Sequence, residues 1–82
     1  LDTDEIAVHI LNKLNNFYPN ILKMRYNIDY IDEDLCITYD SIGKKIGAII
    51  SGGEVDYTRV SEYILNDIKN EYVTKITFDR MD

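Results

Sequence analysis

The residues with the greatest capacity for chemistry sit together in the middle of the chain: Gly43, Lys44 and Lys45, then Ser51-Gly52-Gly53-Glu54-Val55-Asp56-Tyr57-Thr58-Arg59. Glycines just ahead of a helix start can leave backbone N–H groups open to a phosphate, and clustered cations attract the phosphates of RNA. The details disfavour a nucleotide cradle. A P-loop lysine follows its four-residue spacer and glycine and is itself followed by Ser or Thr, whereas Gly43-Lys44 is followed by Lys45 and Ile46. Glu54 and Asp56 would repel a phosphate at the double glycine. The pattern predicts a junction between two helices, with Gly43, Gly47, Gly52 and Gly53 shaping the turn and Lys44 and Lys45 on an outer face, available to an anionic partner.

Other reactive side chains are scattered. The acidic run Asp29, Asp32, Glu33, Asp34 lacks the glycine and terminal Glu of a calcium loop and is expected to cap a helix. One cysteine, Cys36, and one histidine, His9, cannot assemble a four-ligand zinc site or an internal disulfide. Cys36 is expected to be a small buried hydrophobe, and His9 a packed or surface residue. The seven tyrosines fall mostly on core stripes, Tyr39 and Tyr63 among them. No nucleophile-base pair or metal set stands out, so the chain itself is expected to have no catalytic residue, no metal and no cofactor of its own.

The elements that position these residues follow from periodicity. Asp2 or Thr3 caps a helix carrying Ile6, Ile10, Leu14 and Phe17 at helical spacing. Pro19 stops it and opens a short second helix over Asn20–Tyr26. Residues 27–30 form a turn. Asp32 is the expected cap of a third helix, whose stripe Leu35, Tyr39, Ile42, Ile46, Ile49 runs on to Ser51–Gly53. A fourth helix starts at Asp56 and shows Val60, Tyr63, Ile64, Ile68 and Tyr72 on its apolar face. The β-branched stretch after it, with Ile76 and Phe78, is expected to be extended. The fold class is all-α: a small helical bundle with a short extended C-terminal segment, one domain over residues 1–82.

Composition sets the outer limits. The 82 residues include 45% apolar residues and no run of eighteen that would span a membrane. The acidic N-terminus has no secretion signal pattern, so a cytoplasmic protein is expected. The chain opens on Leu1 and a helix-start signal, which suggests a piece of a longer protein. Net charge is −6 but uneven. Residues 1–41 hold three Lys or Arg against eight Asp or Glu, a balance of −5, whereas residues 42–75 hold five of each.

The order of motifs is more specific than any one of them. "YPNILKMRYNID", "EDLCITYDSIGKKIGAIISGGEVDY", "SEYILNDIK" and "KITFD" in succession resemble the C-terminal domain of the ribosome biogenesis GTPase A family of circularly permuted GTPases. The resemblance rests most on IGKK, Gly47, SGGEVDY and the pattern Ser61, Glu62, Leu65, Asp67. It implies a helical domain that docks a GTP-binding protein on ribosomal RNA during assembly of the large ribosomal subunit. GTP and Mg2+ would then belong to an upstream GTPase domain, and ribosomal proteins are further potential partners. Lys44, Lys45, Arg59, Lys69 and Lys75 are the candidate contacts to RNA. The chain departs from the family in having Ile46 where a further arginine is common and "KNEYVTK" where a basic turn is common. Both departures reduce the positive charge. The competing reading is a protein-interaction or regulatory domain that packs on its own GTPase domain or on a ribosomal protein, which the acidic half would suit.

Overall fold

The computed structural model describes residues 2–70, and the expected extended segment around Ile76 and Phe78, together with Tyr72 and Lys75, lies outside them. Among the described residues four helices run in order: α1 (Thr3–Phe17), α2 (Pro19–Tyr26), α3 (Leu35–Ile46) and α4 (Tyr57–Lys69). The fold is all-α, as the periodicity predicts. Helix α1 packs on α2 and α4, and α3 packs on the same two helices. The core between them holds Ala7, Ile10, Leu11 and Leu14 of α1, Leu22 and Tyr26 of α2, Tyr39 and Ile42 of α3, and Val60 and Ile64 of α4. Burying each of the larger aliphatic side chains is worth about 1.5–3 kcal/mol.

Three starts are set by an aspartate one residue ahead of the helix. Asp2 accepts from the Glu5 N–H at 2.8 Å, Asp34 from the Cys36 N–H at 3.0 Å and Asp56 from the Arg59 N–H at 3.2 Å. Asp34, not Asp32, is therefore the cap of α3. Asp32 instead accepts from the Asp34 N–H and donates its own N–H to the Thr38 hydroxyl, which folds the preceding loop back on the helix. α2 has no side-chain cap and starts on Pro19, whose missing N–H leaves one fewer donor to satisfy.

The third helix is shorter than its apolar stripe suggests. It ends at Ile46 because Gly47 takes the left-handed conformation (φ 76°) and donates its N–H to the Gly43 carbonyl. Residues 48–56 then form a small hairpin in which Ile49 and Val55 make one antiparallel bridge. The Asp56 N–H donates to Ala48 O at 2.8 Å, the Ile50 N–H to Glu54 O at 2.8 Å and the Gly53 N–H to Ile50 O at 3.0 Å. Gly52 and Gly53 both have positive φ at its tip. Because the stripe is cut at Gly47, Ile49 is exposed, and so is Leu35 at the other end. Cys36 is exposed too, contrary to its expected burial, because it lies in the first turn of α3, beyond the packed core.

Gly43, expected among the turn glycines, instead lies inside α3 and is buried. A Cβ there would overlap Cγ1 of Val55 in the hairpin, so its absence lets the hairpin lie against the helix. Gly43→Ala adds about 1 kcal/mol of helix propensity and loses about 1–3 kcal/mol to overpacking. A net loss of about 1 kcal/mol in urea unfolding is expected. In Gly43→Ala/Val55→Ala the loss should be less than the sum of the two single losses, a coupling of about 1 kcal/mol.

Candidate nucleic-acid interface

Lys44 and Lys45 occupy the last turn of α3, where positive charge is favourable against the helix dipole. Both are exposed. The hairpin follows at once, and Lys44 lines an open groove with Asp40, Gly53, Glu54, Val55 and Tyr57. Arg59 is exposed in the first turn of α4 and lines a separate groove with Ile46, Glu62, Tyr63 and Asn66. Lys69 is exposed at the far end of α4, ten residues on, so about 15 Å along the axis at 1.5 Å per residue. Among the described residues none of these four cations is engaged in an ion pair; the pairs are Lys23–Asp29 at 3.2 Å and Arg25–Asp67 at 2.8 Å. The structure thus brings Lys44 and Lys45 to the hairpin, sets Arg59 at the start of the next helix, and leaves Lys69 apart.

Carboxylates intersperse this surface. Asp40, one turn before Lys44, accepts a hydrogen bond from the Tyr57 hydroxyl at 2.8 Å, and that bond raises the phenol above its ordinary value. Glu54 and Glu62 are exposed nearby. A nucleotide does not fit here. The Arg59 N–H at the start of α4 is already taken by the Asp56 carboxylate, whose charge would repel a phosphate there, and Gly43-Lys44-Lys45 is helical, with its amides committed to the helix ladder rather than turned to a ligand. Among the described residues no group of three or more His, Cys, Asp or Glu is placed to hold a metal ion.

Two polar clusters, each built on a buried side chain of α4, hold the helices that carry these cations. Asp67, 3% exposed, lies on the inner face of α4. It accepts from Arg25 Nη2 at 2.8 Å, from Arg25 Nε at 3.4 Å and from the Tyr26 hydroxyl at 2.6 Å. The hydrogen bond to Asp67 raises the Arg25 guanidinium. Burial, followed by the hydrogen bond to Asp67, pushes the Tyr26 phenol far above its ordinary value of 10.0. The Tyr26 ring also meets Tyr63 edge-on, with centroids 6.3 Å apart. In the second cluster Ser61, fully buried, donates to Asp4 Oδ1 at 2.6 Å, which leaves the Tyr39 hydroxyl to donate to Ser61 at 2.7 Å. Sequence periodicity does not reveal these pairs, although it holds a signal. Ser61 and Asp67 fall on the same stripe of α4 as Val60 and Ile64, and a carboxylate on an apolar face demands a partner.

An all-helical domain with an exposed basic turn at a helix–hairpin junction is the class of protein these features define. No family model matches the chain. It is 38% identical over 79 residues to ribosome biogenesis GTPase A of Priestia megaterium, covering 96% of this chain and 27% of the relative. It is 37% identical over 79 residues to ribosome biogenesis GTPase A of Bacillus cereus, with the same coverage. An uncharacterized GTP-binding protein of Methanocaldococcus jannaschii is 35% identical over 66 residues, 78% of this chain and 17% of that protein. The chain belongs to the ribosome biogenesis GTPase A family and matches the C-terminal part of its members. It spans about a quarter of the length of the first two relatives.

Asp67→Asn removes the charge that holds Arg25 and is expected to cost about 2–4 kcal/mol, because breaking a largely buried pair leaves its partner uncompensated. Chemical denaturation of the variant measures it. A second expectation concerns alkali. Tyr26 titrates higher in the folded chain than in the unfolded one, so its contribution is fully present below about pH 10 and is lost as pH rises above that. Urea midpoints should therefore fall between about pH 9.5 and about pH 11, and Tyr26→Phe should make that fall shallower.

Proposed function

We propose that this chain is the C-terminal domain that docks a GTP-binding parent protein on the large ribosomal subunit during its assembly, with Lys44, Lys45, Arg59, Lys69 and Lys75 contacting rRNA phosphates. The observation that carries this reading is the exposed Lys44-Lys45 pair in the last turn of α3, held against the hairpin and engaged in no ion pair among the described residues. It is supported by relatedness over nearly the whole chain to proteins named ribosome biogenesis GTPase A. GTP and Mg2+ belong in this reading to a GTPase domain upstream of residues 1–82, and this domain contributes binding rather than catalysis. The parent acts in the cytoplasm on ribosomal precursors. Among the described residues no helix is long and apolar enough to cross a membrane.

Contacts to phosphate carry affinity without base selectivity and weaken with salt. The spacing of the cations supports a shallow footprint across two or three phosphate groups rather than a deep site. Docking through so few charges is expected to act together with contacts made by the upstream domain. The acidic half of the chain favours a separate role in protein contact, which is compatible with RNA contact at the opposite charge pole.

The test is co-sedimentation of the parent protein with large-subunit precursors across a salt series. Lys44→Glu/Lys45→Glu should weaken binding by about tenfold or more at low salt and flatten the dependence on log salt by about two. Unchanged affinity in the double variant would overturn the assignment of these lysines.

A further inference from the structure

A second surface adjoins the basic turn and shares Tyr57 with the groove that Lys44 lines. Asp4 and Val8 of α1, Leu35, Cys36 and Tyr39 of α3 and Tyr57 of α4 line a groove of about 190 Å³. Its walls are almost wholly apolar. The Tyr39 and Tyr57 rings meet edge-on in its wall, 5.7 Å between centroids and 90° apart. Leu35 (38%) and Tyr57 (39%) remain exposed at its rim although both are large and apolar. The groove is smaller than the roughly 300–1,000 Å³ of small-molecule sites, which suits one or two anchoring side chains of a peptide better than a cofactor.

Charge identifies the occupant. The turns of α1 and α3 that supply most of the walls carry Asp2, Asp4, Glu5, Asp34 and Asp40 and no Lys or Arg, the next cation along α3 being Lys44, one turn beyond Asp40. Asp2 and Asp34 cap the two helices here, Asp4 lines the groove itself, and Asp40 is held against Tyr57. The cation that follows in the third wall, Arg59, lines a different groove. An apolar slot in a strongly negative field repels RNA and attracts a segment of opposite sign.

We propose that this groove binds a Lys- and Arg-rich segment of a partner protein through one or two aliphatic or aromatic anchors. The anchors fill the slot between Leu35 and Tyr57, and the flanking cations meet the carboxylates at the start of α1 and Asp34 at the cap of α3. The groove shares Tyr57 with the one that Lys44 lines, but the two proposed contacts use charges of opposite sign on different residues, so either can fail without the other.

Cys36, the single cysteine of the chain and exposed in the groove, reports on occupancy. The probe is a synthetic peptide of about ten residues, Lys and Arg throughout except for a central Leu-Phe pair. Its control has Ser-Ser at the centre. With the 82-residue chain, the Leu-Phe peptide should bind saturably, weaken with salt, and slow alkylation of Cys36 by iodoacetamide several-fold. The Ser-Ser control should bind about tenfold more weakly. Leu35→Lys, an exposed position, should weaken the Leu-Phe peptide by about tenfold while the helical circular dichroism is unchanged. If that variant fails to fold, protection of Cys36 in the unmodified chain decides. Equal binding of both peptides without Cys36 protection overturns the proposal. So does protection of Cys36 by a single-stranded RNA oligonucleotide, or protection that rises with chain concentration alone alongside a dimer in sedimentation, which would assign the groove to RNA or to a second copy.

Discussion

A single buried carboxylate sets the geometry of this small bundle. Asp67 sits on the inner face of α4 and binds both the guanidinium of Arg25 and the hydroxyl of Tyr26, two adjacent residues at the end of α2. A charge in that position is tolerable only with these partners in place, since burying it alone costs several kcal/mol. Sliding α4 by one turn along its apolar face would still bury leucines and isoleucines, but it would strand Asp67. The bundle therefore has one register rather than several of similar energy. The Asp4–Ser61–Tyr39 chain makes the same demand at the other end of α4, and ties it to α1 and α3.

From that fixed α4 the surface features follow. α4 begins at Asp56, which also closes the hairpin through Ala48, so the hairpin is anchored at its base. Gly43 brings it flat against α3, and Gly47 turns the chain sharply out of the helix. Lys44 and Lys45 are thereby presented on a corner at which the loop contributes backbone polar groups and no bulky side chain at its glycine tip. A corner of this kind suits contact with a polyanion, whose charges are spaced along a backbone and which asks for position more than for shape.

The chain divides its charge by location. Carboxylates crowd the start of α1 and the loop into α3, where they cap helices and edge an apolar groove, while unpaired lysines stand at the opposite end of α3. Net charge alone would argue against any role with nucleic acid, yet a field is felt locally when salt screens beyond about 8 Å. Two poles on one small domain are what the two proposed contacts require, RNA at the basic corner and a basic protein segment at the acidic groove.

How much of this the sequence holds depends on the range of the interaction. Caps, the Pro19 start and the glycine-rich junction act within about four residues, so α1, α2 and α4 were legible, as was the IGKK and SGGEVDY succession that marks the family. The end of α3 was not, because its apolar period continues past Gly47 to Ile49 and only the hairpin bond from Asp56 to Ala48 shows which glycine closes the helix. Leu35 looks like a core residue by spacing and is left at a groove rim because no helix covers the first turn of α3 there. Gly43 looks like a turn glycine and is instead a contact point for Val55, twelve residues away. The sequence by itself determined the helices, the division of charge and the family. Only the tertiary structure decided the partners of Asp67 and Ser61, the corner that carries Lys44 and Lys45, and the groove beside Leu35, because each joins residues that are distant in the chain and meet only once the core has packed.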